Sequence, residues 1–377
     1  MTEANRTLES AKQVLEKTLD KTIQRIEELG ELSDNLYLSL DSIQNIFDDI
    51  RGFPDEKRLQ YQTLQQMREA WKTEAETILK EAKEGTKNSM PGMSGLEIGY
   101  STLAVSPTLA SGLATCFETL TLGILAPSLG GFPTLALAIA IGSAPIVDPI
   151  SLLLTYVIWS SKKTEKECIQ YLFTRIYNRN IRSYKRAIIE INERIKRMEN
   201  EKARLDRGIE TIKSFGTNYR EMTEEQKYEL GTYMNLMLSA TALVVNPIVS
   251  LKPYYSNSDF DDYILCLNEM QRRGAELYYE CTDDKKKKGQ LFSKKDSYLL
   301  AISQLEKTKS YVIKNKPLVI YLCNQLYKIQ LDEKEKKLLC RCLKGNEDFA
   351  KSYSVEPSDI NKDLLEVVIE MLRNKDQ

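Results

Sequence analysis

Apolar positions near the N-terminus fall on one helical stripe. Leu36, Leu40, Ile43, Phe47 and Ile50 alternate steps of four and three, the spacing of a coiled-coil seam. Leu8, Leu15, Leu19, Ile23 and Ile26 extend it more loosely. The pattern predicts one helix from about Arg6 to Arg51, stopped at Phe53-Pro54 because a residue before proline avoids helical torsions. A second helix is expected from about Asp55 to Glu84, with Leu59, Leu64, Met67, Trp71, Ile78 and Leu79 as its stripe. A first helix of about 45 residues would run roughly 70 Å, which suits a long-helix bundle.

The pattern then changes. Between Glu97 and Lys162 only Glu118 and Asp148 are charged. Two apolar runs, Thr108 to Ala126 and Thr134 to Trp159, flank the turn Ser128-Leu129-Gly130-Gly131-Phe132-Pro133. Glycine reaches positive φ freely and proline cannot continue a helix. Each run is about 19 to 26 residues long, and about 20 helical residues cross a bilayer core. The expectation is a hydrophobic helical hairpin that inserts through Leu109, Leu113, Phe117, Leu120, Leu122, Leu125, Gly130, Gly131, Leu135, Leu137, Ile139, Ile141, Leu152, Leu153, Leu154, Val157 and Trp159. Tyr156 and Trp159 precede Lys162, Lys163 and Lys166, an aromatic and basic interface anchor. Pro145 and Pro149 interrupt the second run, and a hairpin buried permanently in a soluble core is the competing reading. Asp148-Pro149 reads as an N-cap with proline at the first helical position. Glu118 is either a pore or switch carboxylate, since charge at membrane depth is costly and often functional, or a paired bundle contact.

Beyond the hairpin a second seam runs through Ile181, Tyr184, Ile188, Ile191, Ile195, Met198, Leu205, Ile209 and Ile212. It predicts a long return helix ending near Gly208 or Gly216. The step from Ile176 to Ile181 is out of register, so a local change of winding is expected near Asn178 to Asn180. Thr223-Glu224-Glu225-Gln226 is a capping box that opens a helix to about Val245. The nearly uncharged stretch Leu236 to Val249 reads as a buried bundle helix or a second membrane-touching patch. Further helices are expected at about Ser258 to Tyr279, Lys294 to Lys314, Leu318 to Ile329, Asp332 to Leu343 and Ser358 to Arg373. The fold class is thus all-α and elongated. Its segments are a long-helix bundle at 1–96, the hairpin at 97–161, a coiled-coil return helix at 162–220 and a C-terminal helical region at 221–377.

Composition narrows the chemistry. There is no histidine, which removes Ser-His and Cys-His nucleophiles and most zinc sites. No phosphate-binding glycine fingerprint is present. No enzyme, metal or cofactor is expected. The 53 basic and 54 acidic residues balance to a net charge of −1, which gives no global field for nucleic acid. Basic residues do exceed acidic ones from Lys162 to Arg186, and such an excess attracts anionic headgroups by about 1 kcal/mol each near the surface. The 7 cysteines are scattered and read as reduced thiols. Met1 to Leu29 is charged and amphipathic, unlike a secretory signal.

Long N-terminal helices, a central apolar hairpin and a long return coiled coil together resemble the α-helical pore-forming toxins, the cytolysin A class and its two- and three-component relatives. The resemblance covers roughly residues 1–220 and lies in architecture, without a sequence motif. It implies a protomer that hides Thr108 to Trp159 in its soluble form, with Gly130-Gly131 at the tip, then inserts into a lipid bilayer and oligomerises, alone or with a second protein component. It also implies export without a cleavable signal. The sequence is similar as well to helical membrane proteins of the apolipoprotein-L type. The rivals are therefore a cytoplasmic scaffold anchored by the hairpin and a soluble helical interaction protein that keeps the hairpin buried.

Overall fold

A computed structural model describes residues 2–87, 106–116, 163–246, 248–251, 253–281, 293–345, 360 and 362–375. The described residues are all-α. They form helices α1 (Glu3–Asp49), α2 (Asp55–Lys87), α3 (Pro107–Cys116), α4 (Lys163–Lys213), α5 (Glu224–Val245), α6 (Asn257–Glu280), α7 (Lys294–Lys314), α8 (Lys316–Leu326), α9 (Glu333–Lys344) and α10 (Lys362–Lys375). Two 3-10 turns, Tyr219–Glu221 and Val249–Leu251, flank α5.

The helix boundaries follow local chemistry. Thr223 accepts a hydrogen bond from the Gln226 backbone N–H while the Gln226 side chain caps Thr223 in return, so both orphan donors of the first turn are satisfied. The same reciprocal box opens α6 at Ser256, α7 at Ser293 and α9 at Asp332. Pro317 sits in the first turn of α8, where a missing N–H is harmless.

The chain divides into two compact units. One comprises Met1–Leu8, Val147–Ile176 and Pro253–Gln377; the other comprises Glu9–Ile146 and Tyr177–Lys252. In the first, α10 packs on α6, α8 and α9. Leu318, Val319, Leu339, Leu343, Leu364 and Val368 fill that core. Arg175 on α4 reaches Glu335 at 2.5 Å, and Arg341 on α9 reaches Glu165 at 3.2 Å.

The second unit is a bundle of α1, α2, α3, α4 and α5. Leu36, Leu40, Ile43, Phe47 and Ile50 are all buried, as are Ile191, Met198, Leu205 and Ile212. Helix α4 is continuous through Asn178 to Asn180. Tyr177, four residues before Ile181, is buried and carries the apolar face across the expected misstep.

The stripe of α2 differs from the expected one. Leu59 and Met67 are exposed. The buried face is Tyr61, Leu64, Arg68, Trp71, Ala75 and Ile78, a regular alternation of threes and fours. Leu64, Trp71 and Ile78 of the expected stripe lie on this face, but a charged residue occupies one seam position, so counting apolar side chains alone missed Arg68 and included the exposed Leu59 and Met67.

Candidate functional site

Helix α3 is the described start of the apolar stretch, and it lies inside the second unit's bundle. Ser106 caps it by accepting from the Leu109 N–H at 3.0 Å, and Pro107 takes the first helical position. Every residue from Leu109 to Cys116 is buried. Of the expected inserting residues, Leu109 and Leu113 are here and point into the core, at 3% and 0% exposure. Phe117, Glu118, the remaining inserting positions from Leu120 to Trp159, Asp148 and Lys162 lie outside the described residues. Lys163 and Lys166 stand in the first turn of α4, in the other unit, with Lys163 exposed.

Small residues set how α3 docks. A Cβ on Gly30 would lie 1.7 Å from the carbonyl oxygen of Thr108, and one on Gly112 would lie 1.9 Å from that of Ile26. Helices α1 and α3 therefore cross backbone to backbone, and only glycine fits on either side. Glycine in a helix interior costs about 1 kcal/mol against alanine; at Gly30 that cost is offset by the close approach.

A polar lattice fixes the register of this crossing. The Ser111 hydroxyl donates to Asp34 Oδ1 at 2.7 Å, and the Ser106 hydroxyl to Glu27 Oε1 at 3.2 Å. Ser33 Oγ and Thr115 Oγ1 lie 2.9 Å apart, and Trp71 Nε1–H donates to Thr115 at 3.1 Å. Burial pushes the Asp34 carboxyl above its usual range, partly offset by the Ser111 hydrogen bond. Burial also raises the Cys116 thiol to about 12, which leaves it neutral and unreactive.

Thr115 also donates to the Ser111 carbonyl of its own helix at 3.0 Å. Ser33 directs its single hydroxyl proton either to the Leu29 carbonyl of α1 at 2.8 Å or across to Thr115 Oγ1 at 2.9 Å. These hydroxyls keep a partner within their own helix whether or not the two helices meet. Such internal bonding is what a polar side chain needs in both a bundle and a lipid environment.

Helix α5 covers α3 from another side. Its buried face is Leu230, Met234, Met237, Ala240, Thr241 and Val244. Just past its end, the Ile248 N–H donates to the Cys116 carbonyl at 2.9 Å. Arg194 on α4 donates to the Leu243 carbonyl at 3.3 Å and to that of Asn246, satisfying the exposed end of α5. Among the described residues one segment, Glu224–Leu251, is long and apolar enough to cross a membrane by length and composition, and 41% of its apolar window is buried.

Arg68 escaped the sequence reading. It is 2% exposed, and its Nε and Nη1 find no hydrogen-bond partner. Its guanidinium lies 5.5 Å from the Tyr37 ring centroid, while Tyr37 stacks on Trp71 at 5.9 Å. Burial lowers its pKa. Gly30 was a readable signal, since a mid-helix glycine without a turn asks for a packing reason. Asp34 was not, because nothing local marks its partner.

No group of metal-binding side chains forms among the described residues. Comparison of the chain with family models, with curated proteins and with solved structures finds no match in any of the three.

Proposed function

We propose that this chain acts on membranes: the apolar stretch from Ile98 to Ser161 leaves its docked state, enters a bilayer and assembles with further copies into a pore. One observation carries the reading. The leading helix of that stretch, α3, is held in the bundle by a glycine crossing and by hydroxyl contacts that have replacements within each helix. Exposing half of a hairpin this long would forfeit tens of kcal/mol at about 25 cal/mol per Å², so a water-borne form needs such cover. Helices α1, α2 and α5 supply it for α3. In this reading the resemblance to α-helical pore-forming toxins is one of architecture and mode of action.

A second reading has its own support. The Asp34–Ser111 and Trp71–Thr115 hydrogen bonds are also what a permanently docked helix in a soluble interaction protein would make. Dye release from anionic liposomes separates the two, using protein purified without detergent and sedimented before and after lipid. The proposal expects release together with a large lipid-bound assembly, and loss of release on A138D or A140D with helicity retained. A stable monomer that neither binds nor leaks the liposomes favours the soluble reading.

A further inference from the structure

Within the first unit, α6 and α7 pair as a helical hairpin. A Cβ on Gly274 would lie 3.1 Å from Ile302 Cγ1, and the Lys295 ammonium lies 5.4 Å from the Tyr278 ring centroid. Towards the other end, the ammonium of Lys316, just past α7, lies 4.7 Å from the Phe260 ring centroid, so the two helices run antiparallel. On α6 the positions Phe260, Tyr263, Leu267, Met270, Gly274 and Leu277 advance in alternating steps of three and four. Tyr298, Ala301, Leu305, Thr308 and Val312 do the same on α7. Such a stripe is the seam by which one helix packs on another. At the root of the hairpin it is covered: Phe260, Tyr263, Leu267 and Val312 are buried, with α10 on α6 and α8 on α7. Farther out the cover stops. No residue of α6 from Asn268 to Glu280 is buried, and none of α7 from Lys294 to Tyr311.

Met270 and Leu277 are each 47% exposed. Val14, Leu38 and Ile189 are exposed too, but each stands outside a seam that is buried along its helix. On the hairpin it is the seam itself that is bare. Two helices enclose no core of their own, and two such faces laid together make a four-helix bundle. The face suits a second copy because its two helices are oppositely charged. In the outer half α6 has Glu269, Glu276 and Glu280 against Arg272 and Arg273, and α7 has Lys294, Lys295, Lys307 and Lys309 against Asp296 and Glu306. About a two-fold axis along the hairpins the helices alternate, so each acidic α6 gains a basic α7 from the second copy. We infer that the protein forms a symmetric dimer through this face, Met270 and Leu277 of one copy packing on Ala301 and Leu305 of the other. The bare face is roughly 20 Å long and about 20 Å wide. Closing it removes on the order of 1,000 Å² from water, the lower bound for a specific interface, so the dimer is reversible at micromolar concentration.

Sedimentation velocity of the full chain in buffer without lipid tests the dimer independently of any membrane activity. Between about 1 and 100 μM the mass should rise from that of one chain, 43.2 kDa, towards twice that value. M270Q with L277Q should raise the dissociation constant at least about tenfold, since both apolar side chains are lost from each copy. A301E, on the seam of α7, disrupts the same face from the other helix and should weaken the dimer likewise. L265Q is the control. Leu265 is 63% exposed and lies two residues from both Tyr263 and Leu267, on the opposite side of α6. Its replacement should leave the constant within about twofold. All these changes fall at exposed positions, and circular dichroism with urea midpoints checks that each variant folds as its parent does. A chain that stays monomeric at about 100 μM, a dimer indifferent to A301E and to M270Q with L277Q, or one weakened as much by L265Q overturns the inference.

Discussion

Replacing Gly112 by alanine tests how α3 is held. In an ordinary helix the change would stabilise by about 1 kcal/mol. Here the new methyl would stand 1.9 Å from the Ile26 carbonyl oxygen and 2.9 Å from Ile26 Cγ2. Ordinary contact begins near 3.4 Å, so the helices must part by roughly 1.5 Å, and a gap of about 1 Å already forfeits up to half of a contact's dispersion energy. Leu109 and Leu113 would lose part of their burial, worth about 1.5 to 3 kcal/mol each when complete. The hydrogen bonds Ser111–Asp34 and Trp71–Thr115 would stretch, at about 1 to 3 kcal/mol between them. After the gain in helix propensity, the net loss is about 2 to 4 kcal/mol. Trp71 sits at the contact and reports on it. Urea unfolding of the W159F protein, followed by fluorescence, leaves Trp71 as the sole tryptophan of the 2 present. Gly231, on α5, is the control. A Cβ there meets only the mobile Lys57 ammonium at 3.3 Å, and G231A should gain up to about 1 kcal/mol. A G112A protein as stable as its parent, or stabilised like G231A, refutes the glycine crossing.

Two further substitutions probe the charges around α3. Asp34 titrates above its usual range in the folded protein. The folded state therefore holds this proton to a higher pH than the unfolded chain does, so the contribution to stability is complete in acid and is lost as the pH rises through the folded value. D34N, which keeps an acceptor for Ser111, should be equal to or up to about 1 kcal/mol more stable than the parent at pH 7, with the gap closing below the ordinary carboxylate range; urea midpoints against pH measure this, and a D34N protein that is weaker only at neutral pH contradicts it. By the same sign, acidification relieves the cost of burying the Asp34 charge, so the docked state is not destabilised at this carboxyl and α3 is not released there. R68M keeps an unbranched apolar stem and removes a buried guanidinium with two unbonded nitrogens, so it should be neutral or stabilise by about 1 to 3 kcal/mol; a clear loss in the urea midpoint would show that the Tyr37 contact holds the bundle.

The helices were legible because their signals are local. Capping chemistry and period set α7 at Lys294–Lys314 and α5 from Glu224 to Val245, where the sequence predicts them. The seams of α1 and α4 were legible for the same reason. The face of α2 was legible only in part: Leu64, Trp71 and Ile78 lie on it, but Arg68 occupies a seam position and Tyr61 and Ala75 complete it. An apolar count cannot see a residue buried against its type. The beginning of the apolar stretch was legible as a segment that needs cover. Its docking was not, because the Gly30–Gly112 crossing and the Ser111–Asp34 bond join residues far apart in sequence, and no local pattern encodes such a pairing.

A disulfide staple across α1 and α3 addresses the central claim most directly. Ser33 Oγ and Thr115 Oγ1 are 2.9 Å apart, close enough for a cysteine pair to close its bond of about 2 Å with small adjustment. S33C with T115C, combined with C116A to remove a competing thiol, ties α3 to the bundle. Dye release from anionic liposomes is then measured for the oxidised and the reduced protein, with the unstapled C116A protein as reference. If the apolar stretch must undock to act, the oxidised protein releases nothing and reduction restores release to the reference level. Release by the oxidised protein at the reference rate would show that α3 never leaves the bundle and that the membrane activity lies elsewhere.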